Sequence, residues 1–231
     1  MIAADPLKLA RQLGHEFAQP ALLQQALTHR SAGGKHYERL EFLGDAVLSL
    51  VIAAELHQRK PRASEGDLSR LRSSLVRERT LAQIAEEQEI GNYLSMGPGE
   101  TRNGGFRRAS ILADAVEALI GAVYLDAGFE ASQRFILALY DSRLNDLPSA
   151  DSLKDPKTRL QEWLQARGRP LPDYEILEVT GAAHKQSFTA RCTLVDAELS
   201  CEGVGAGRRR AEQAAAQKML NQVKTESSNA K

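Results

Sequence analysis

Cysteine is scarce: among 231 residues only Cys192 and Cys201 occur. Two are too few for a disulfide framework, and both are expected to stay reduced, as in a cytoplasmic protein. No apolar run approaches the roughly 18 residues that would cross a membrane, and the N-terminal stretch MIAADPLKLARQLG lacks the pattern of a secretory signal. No membrane partner is therefore expected. There is no internal repeat. No charge of one sign dominates either, since the formal net charge is zero. That balance conceals a split: residues 1–155 hold 18 Lys and Arg against 21 Asp and Glu, and residues 156–231 hold 12 against 9. An acidic front and a basic back fit a metal-carrying part joined to an anion-binding part.

Apolar residues between 5 and 147 recur at three and four, as in LLQQAL, LSRLRSSLV and LAQIAEEQEI, with no sustained period-two stretch. Turn chemistry punctuates this helical region at SAGGK (31–35), KPRASEGD (60–67) and MGPGETRNGG (96–105). A polar, proline-containing stretch, NDLPSADSLKDPK, then reads as a linker. Beyond it the period changes. TRLQEWLQARG (158–168) reads as a short helix stopped by Gly168. YEILEVTG (174–181), QSFTARCTLVD (186–196) and AELSCEGVG (197–205) read as three antiparallel strands. RRRAEQAAAQKMLNQV (208–223) closes the chain as an amphipathic helix, followed by a frayed tail. The expected organisation is an all-α domain over 1–147, a linker over 148–155, a small α+β domain of order α-β-β-β-α over 156–225, and a disordered tail over 226–231.

The chemistry is announced by charge in the wrong place. ERLEFLGDAVLSLVIAAEL (38–56) is a helix bound for burial, yet Glu38, Glu41 and Asp45 interrupt it at i, i+3 and i+7, within roughly 60° of one another. ILADAVEALIGAVYL (111–125) is apolar nearly all round and carries only Asp114 and Glu117. Buried carboxylates are costly when unpaired, and Arg39 could neutralise one acid but not five. A divalent metal between the two helices resolves the conflict. Oxygen ligands with no Cys or His at ligand spacing favour Mg²⁺, or Mn²⁺ in its place, over zinc. A di-iron bundle would want Glu-x-x-His, which is missing, and His15, His29, His36 and His57 offer no adjacent pair for a His-Asp hydrolase. Clustered carboxylates without histidine suit metal-assisted phosphodiester hydrolysis, with no organic cofactor and no side-chain nucleophile. Ser73, Ser74 and His29 then read as structural.

At these residues the chain resembles a known family. ERLEFLGDAVL is similar to the signature of ribonuclease III enzymes, and GGFRRASILADAVEALIGAVYLDAG (104–128) to their second conserved block; THRS (28–31) and EGDLSRLRSSLV (65–76) match their style. The resemblance covers essentially the whole chain. It implies an all-α endonuclease domain followed by a double-stranded-RNA-binding domain, active as a homodimer. Carried over by position, Glu41, Asp45, Asp114 and Glu117 form the metal-binding catalytic set, with Asp45 and Glu117 indispensable. Glu38 and Glu65 match accessory acids near the scissile phosphate, and Phe42 matches an aromatic that packs into the partner subunit. One departure is Tyr37, where the family commonly has Asn; it is expected to affect a local loop contact rather than the metal site. The implied reaction is a staggered cut of duplex RNA leaving short 3′ overhangs and 5′-phosphates, with ribosomal RNA precursors and other structured transcripts as substrates.

Residues 156–225 resemble the family's RNA-binding module, which reads A-form shape across two minor grooves and the intervening phosphates. Thr158, Gln161 and Glu162 would meet 2′-hydroxyls, and His184, in GAAHKQSF, the next minor groove. Arg208, Arg209 and Arg210 open the last helix, where basic residues are unfavourable unless an anion is there to meet them. Gly207 and the arginines stand where the family usually has a hydroxyl residue and lysines, so the helix cap weakens while the phosphate chemistry survives. Trp163 is expected in the core. The rival reading is a non-catalytic RNA-binding scaffold of the same fold, which loss of the acids would mark; all are present. A nuclease for single strands or DNA fits poorly with a module shaped for A-form RNA.

Overall fold

The computed structural model describes residues 5–182 and 185–229, and of 226–229 the backbone alone. Its contacts divide the chain into two compact units, Met1–Ala150 and Asp151–Lys231. The first contains helices α1 (Pro6–Gln12), α2 (Pro20–Ala26), α3 (Glu38–Arg59), α4 (Glu65–Val76), α5 (Glu78–Glu87), α6 (Pro98–Arg102) and α7 (Ala109–Asn145).

The centre of this unit is the packing of α3 on α7, with α2 and α5 on other sides of α7 and α4 against α3. Leu40, Gly44, Val47, Leu48, Val51, Ile52 and Leu56 form the buried stripe of α3 at helical spacing. From Ile111 to Val123, α7 buries every residue except Asp114 and Glu117, which are half-buried. Each fully buried Leu or Ile contributes about 1.5–3 kcal/mol, so this pair of helices anchors the unit. Two glycines let the helices touch backbone to backbone. A Cβ at Gly44 would overlap the Glu117 carbonyl, and one at Gly121 would overlap the Leu40 carbonyl. The helix α7 is broken at Gly128, whose φ of 80° and ψ of −174° are open only to glycine.

The second unit has helix α8 (Ala150–Leu153) at its junction, then α9 (Pro156–Gln165), strands β1 (Asp173–Thr180), β2 (Ser187–Leu194) and β3 (Leu199–Gly205), and α10 (Arg208–Asn229). The strands form an antiparallel sheet in the order β1-β2-β3, with Tyr174 opposite Cys192 and Cys192 opposite Cys201. Leu160, Leu164, Cys192, Leu194, Ala215, Ala216, Met219, Leu220 and Val223 make the core, and Trp163 packs against it with Arg167 stacked 4.0 Å from its ring centroid.

Several sequence expectations need correction here. The linker stretch carries local structure: α8 forms a turn, and Lys154 bonds Asp151 and Glu162, each at 2.7 Å. α9 begins two residues early because Asp155 caps it, accepting from Lys157 and Thr158 N–H, with Pro156 at its first position. β2 stops at Leu194, and Val195–Ala197 makes a 3₁₀ turn closed by Glu198 at φ 52°. The tail expected to fray from 224 onwards continues α10 to Asn229; KTESSN contains neither Gly nor Pro to stop a helix.

Candidate active site

One carboxylate oxygen from each of Glu41, Asp114 and Glu117 lies within 4.8 Å of the other two. Glu41 comes from the first turn of α3, and Asp114 and Glu117 from consecutive turns of α7. The Gly44 and Gly121 contacts bring those turns together, so small residues in a neighbouring turn set the spacing of the acids. Sequence spacing put five acids on two facing helices; the structure gathers three. None of the three forms an ion pair among the described residues.

Electrostatics register the crowding. Glu117 is pushed up to about 8, by burial first and then by the charges of Asp45, Glu41 and Asp114. Burial, then Asp114, Glu38 and Asp45, raises Glu41. Asp114 is raised chiefly by burial, with its bond from Tyr37 opposing and the charge of Glu78 adding to the rise. A cluster that resists ionising when alone is one that gains from a cation.

Beside the trio opens a cavity of about 400 Å³ lined by Tyr37, Glu38, Glu41 and Asp114, with Arg30 and Arg108 at exposed positions along it. Glu38 is held by Arg30 Nη1 at 3.4 Å and lies 3.8 Å from His36 Nδ1. Arg108 pairs with Glu100 at 3.1 Å. Asp45 is exposed one turn beyond Glu41. Glu65 opens α4, accepts from Ser69 Oγ at 2.7 Å and is outside the cavity lining. His29 is buried, caps the 3₁₀ turn Arg30–Ala32 through Nδ1 and lines the cavity. Ser74 bonds back to the Leu71 carbonyl.

Sequence reasoning missed two things at this site. Glu78, at the start of α5, reaches Asp114 electrostatically although 36 positions earlier in the chain. Tyr37 is the larger miss. It is 2% exposed and its hydroxyl donates to Asp114 Oδ2 at 3.4 Å, so it belongs to the acidic cluster and not merely to a loop.

In the second unit, Arg208, Arg209 and Arg210 are exposed at the start of α10. Their placement follows from Gly203 and Gly205: a Cβ at either would collide with the α10 backbone near Ala211 and Ala215, so the helix lies directly on β3. Gln161 is exposed. Thr158 Oγ1 donates to Asp155 Oδ2 at 3.0 Å, and Glu162 receives Lys154. His184 lies outside the described residues. Lys157, unremarked in the sequence, ties α9 to α10 through Glu212 at 2.7 Å and sits 4.1 Å from the Tyr174 ring centroid.

Comparison with known proteins decides what carries this geometry. A family model described as ribonuclease-III-like matches residues 19–144, and a double-stranded RNA binding motif matches 156–223. A curated relative named Ribonuclease 3 from Photorhabdus laumondii is 54% identical over 219 residues, 95% of this chain and 97% of its own. The chain belongs to the ribonuclease III family. A second Ribonuclease 3, from Vibrio atlanticus, is 55% identical over 94% of this chain and 96% of its own. Among solved structures, a nuclease domain of ribonuclease III from Campylobacter jejuni aligns with a TM-score of 0.60 at 43% identity, covering 62% of this chain and all of that one. As a ribonuclease III enzyme the protein is an endoribonuclease of double-stranded RNA. The scaffold reading is not favoured. Among the described residues no helix is long and apolar enough to cross a membrane.

Proposed function

We propose that Glu41, Asp114 and Glu117 hold a divalent cation, Mg²⁺ or Mn²⁺ in its place, and that Asp45 completes the catalytic set. The observation that carries this reading is the convergence of three unpaired, partly buried carboxylates within 4.8 Å. Hard oxygen donors without sulfur or imidazole fit such an ion. When bound, it supplies a Lewis acid for a phosphoryl oxygen and an acidified water. The chain's own work is positioning. The three carboxylates fix the centre, and Asp45, whose charge is felt by Glu117, orders the side facing solvent. Glu38 stands at the cavity where an accessory acid could act on the phosphate, held by Arg30. Glu65 is the more remote accessory acid. Arg208 and Arg209 meet phosphates, aided by the N-terminus of α10, and Gln161, Thr158 and Glu162 are assigned to the minor groove.

A second copy of the chain completes the enzyme in this reading. Phe42 is 80% exposed, far above what a solitary subunit needs to leave in water, and Ala46 and Leu50 continue the same face of α3 at i+4 and i+8. Phe42 also borders a cavity of about 860 Å³ with Leu40, Leu43 and Leu125, a receptacle for an aromatic. The Campylobacter jejuni nuclease-domain structure is described through a region involved in dimer formation. We place the enzyme in the cytoplasm, where structured transcripts such as ribosomal RNA precursors are met and Cys192 and Cys201 keep their thiols. The test is a long RNA duplex incubated with Mg²⁺ or with chelator. Cleavage should occur only with the ion, and Glu117→Ala should bind the duplex as well as the unaltered protein without cutting it. A Glu117→Ala enzyme cutting at a tenth of the normal rate would remove Glu117 from the ligand set, and intact duplex under Mg²⁺ would return the scaffold reading.

A further inference from the structure

Tyr37 is built into both helices that carry the acids. Its carbonyl accepts from Leu40 N–H at 2.7 Å and Glu41 N–H at 2.9 Å, which starts α3 and sets the turn presenting the Glu41 side chain. Its own N–H donates to the Thr28 carbonyl at 3.0 Å, and its ring meets the edge of His29 at 5.7 Å between centroids. The hydroxyl then crosses to α7 and donates to Asp114 Oδ2 at 3.4 Å. One side chain thus spans from the backbone of one metal-facing turn to the carboxylate of the other, across 77 positions of sequence.

The chemistry of that contact is directional. A phenol facing a carboxylate gives its proton to one lone pair and leaves the remaining lone pairs free. The terminal torsion of Asp is broad and roughly two-fold, so a carboxylate beside other acids and with no fixed donor would sample many orientations. With Oδ2 engaged by the buried hydroxyl, Asp114 is held in one, and the oxygen within reach of Glu41 and Glu117 stays in place. Groups that orient metal ligands in this way typically cost 10–100-fold in metal affinity when removed.

We propose that Tyr37 is a positioning residue of the metal centre, its hydroxyl fixing Asp114 for the cation. The inference rests on the assignment of Asp114 and Glu117 as ligands, and the experiment separates the two. Mn²⁺ binding to the full-length protein is measured by electron paramagnetic resonance for the unaltered chain, Tyr37→Phe and Glu117→Ala. Tyr37→Phe keeps the ring against His29 and removes only the oxygen. It should bind Mn²⁺ roughly tenfold more weakly, need correspondingly more Mg²⁺ for half-maximal cleavage, and recover most of its kcat at saturating Mg²⁺. Duplex affinity without metal should be unchanged. Lost binding in Glu117→Ala with unaltered affinity in Tyr37→Phe would overturn the role of Tyr37 and leave the ligand set standing. Unaltered binding in both variants would overturn the ligand set itself. A kcat that stays low in Tyr37→Phe at saturating Mg²⁺ with unaltered Mn²⁺ affinity would also refute positioning.

Discussion

At the scale of single residues, the acids carry a cost that pH can reveal. Glu117 holds its proton up to about 8 in the folded chain, against 4.5 for an ordinary glutamate. Between those values the folded state binds more protons than the unfolded one, so stability falls as pH rises through the window and levels off above it. The metal-free protein should therefore melt lower at pH 8 than at pH 6. Glu117→Gln, which has no charge to acquire, should show a shallower decline and melt above the unaltered protein at pH 8.5. Melts in chelator across pH 5.5–8.5 check this; an identical slope in both proteins would show that Glu117 ionises without strain. The acids of the candidate site were legible in the sequence because charge inside an apolar helix is conspicuous. Which acids converge was not. Glu38 shares a face with Glu41 but is drawn to Arg30, and Tyr37 reaches Asp114 only through the tertiary fold.

At the scale of elements, the site depends on how closely α3 approaches α7. Glycine inside a helix costs about 1 kcal/mol relative to alanine, so Gly121→Ala would stabilise an isolated α7. In the packed pair the added methyl meets the Leu40 carbonyl, a backbone atom that cannot rotate away. Overpacking of a filled interior costs typically 1–3 kcal/mol, and more where backbone must move. The clash should win: Gly121→Ala should lower the melting temperature and weaken Mn²⁺ binding together, because separating the helices separates Glu41 from Asp114 and Glu117. Gly99→Ala, in α6 with open space at its Cβ position, should change neither and serves as the control. A Gly121→Ala protein with full stability and metal affinity would mean the helices have slack. Nothing in the sequence marks Gly44 or Gly121 as a contact, since close approach is a property of two elements. The helices themselves were legible by their 3.6-residue period; the break within α7 at Gly128 was not, because apolar residues recur at helical spacing on both sides of it. Short turns such as Val195–Ala197 escaped for a related reason, lying between two strands with no Gly or Pro to mark them.

At the scale of the whole molecule, the proposed reading puts chemistry in the first unit and affinity in the second, and the assembly proposed through Phe42 doubles both. A two-fold dimer presents two identical acidic clusters. The strands of an RNA duplex are related by local two-fold axes, so each cluster can meet one strand. Each site should then cut one strand, and the pair should leave a staggered break with short 3′ overhangs and 5′-phosphates. A mixed dimer with Glu117→Ala in one subunit tests this. One working cluster should nick one strand per encounter, so the products stay duplex on a native gel and appear cut on a denaturing one. Double-strand breaks from single encounters would mean that one cluster serves both strands in turn. Complete inactivity would mean that the two clusters jointly build a single site. Nicking has a further signature, because strand choice should be random with respect to which subunit is inactive. Labelling the two strands differently should then show each nicked in half of the products when the duplex sequence is symmetric about the cut.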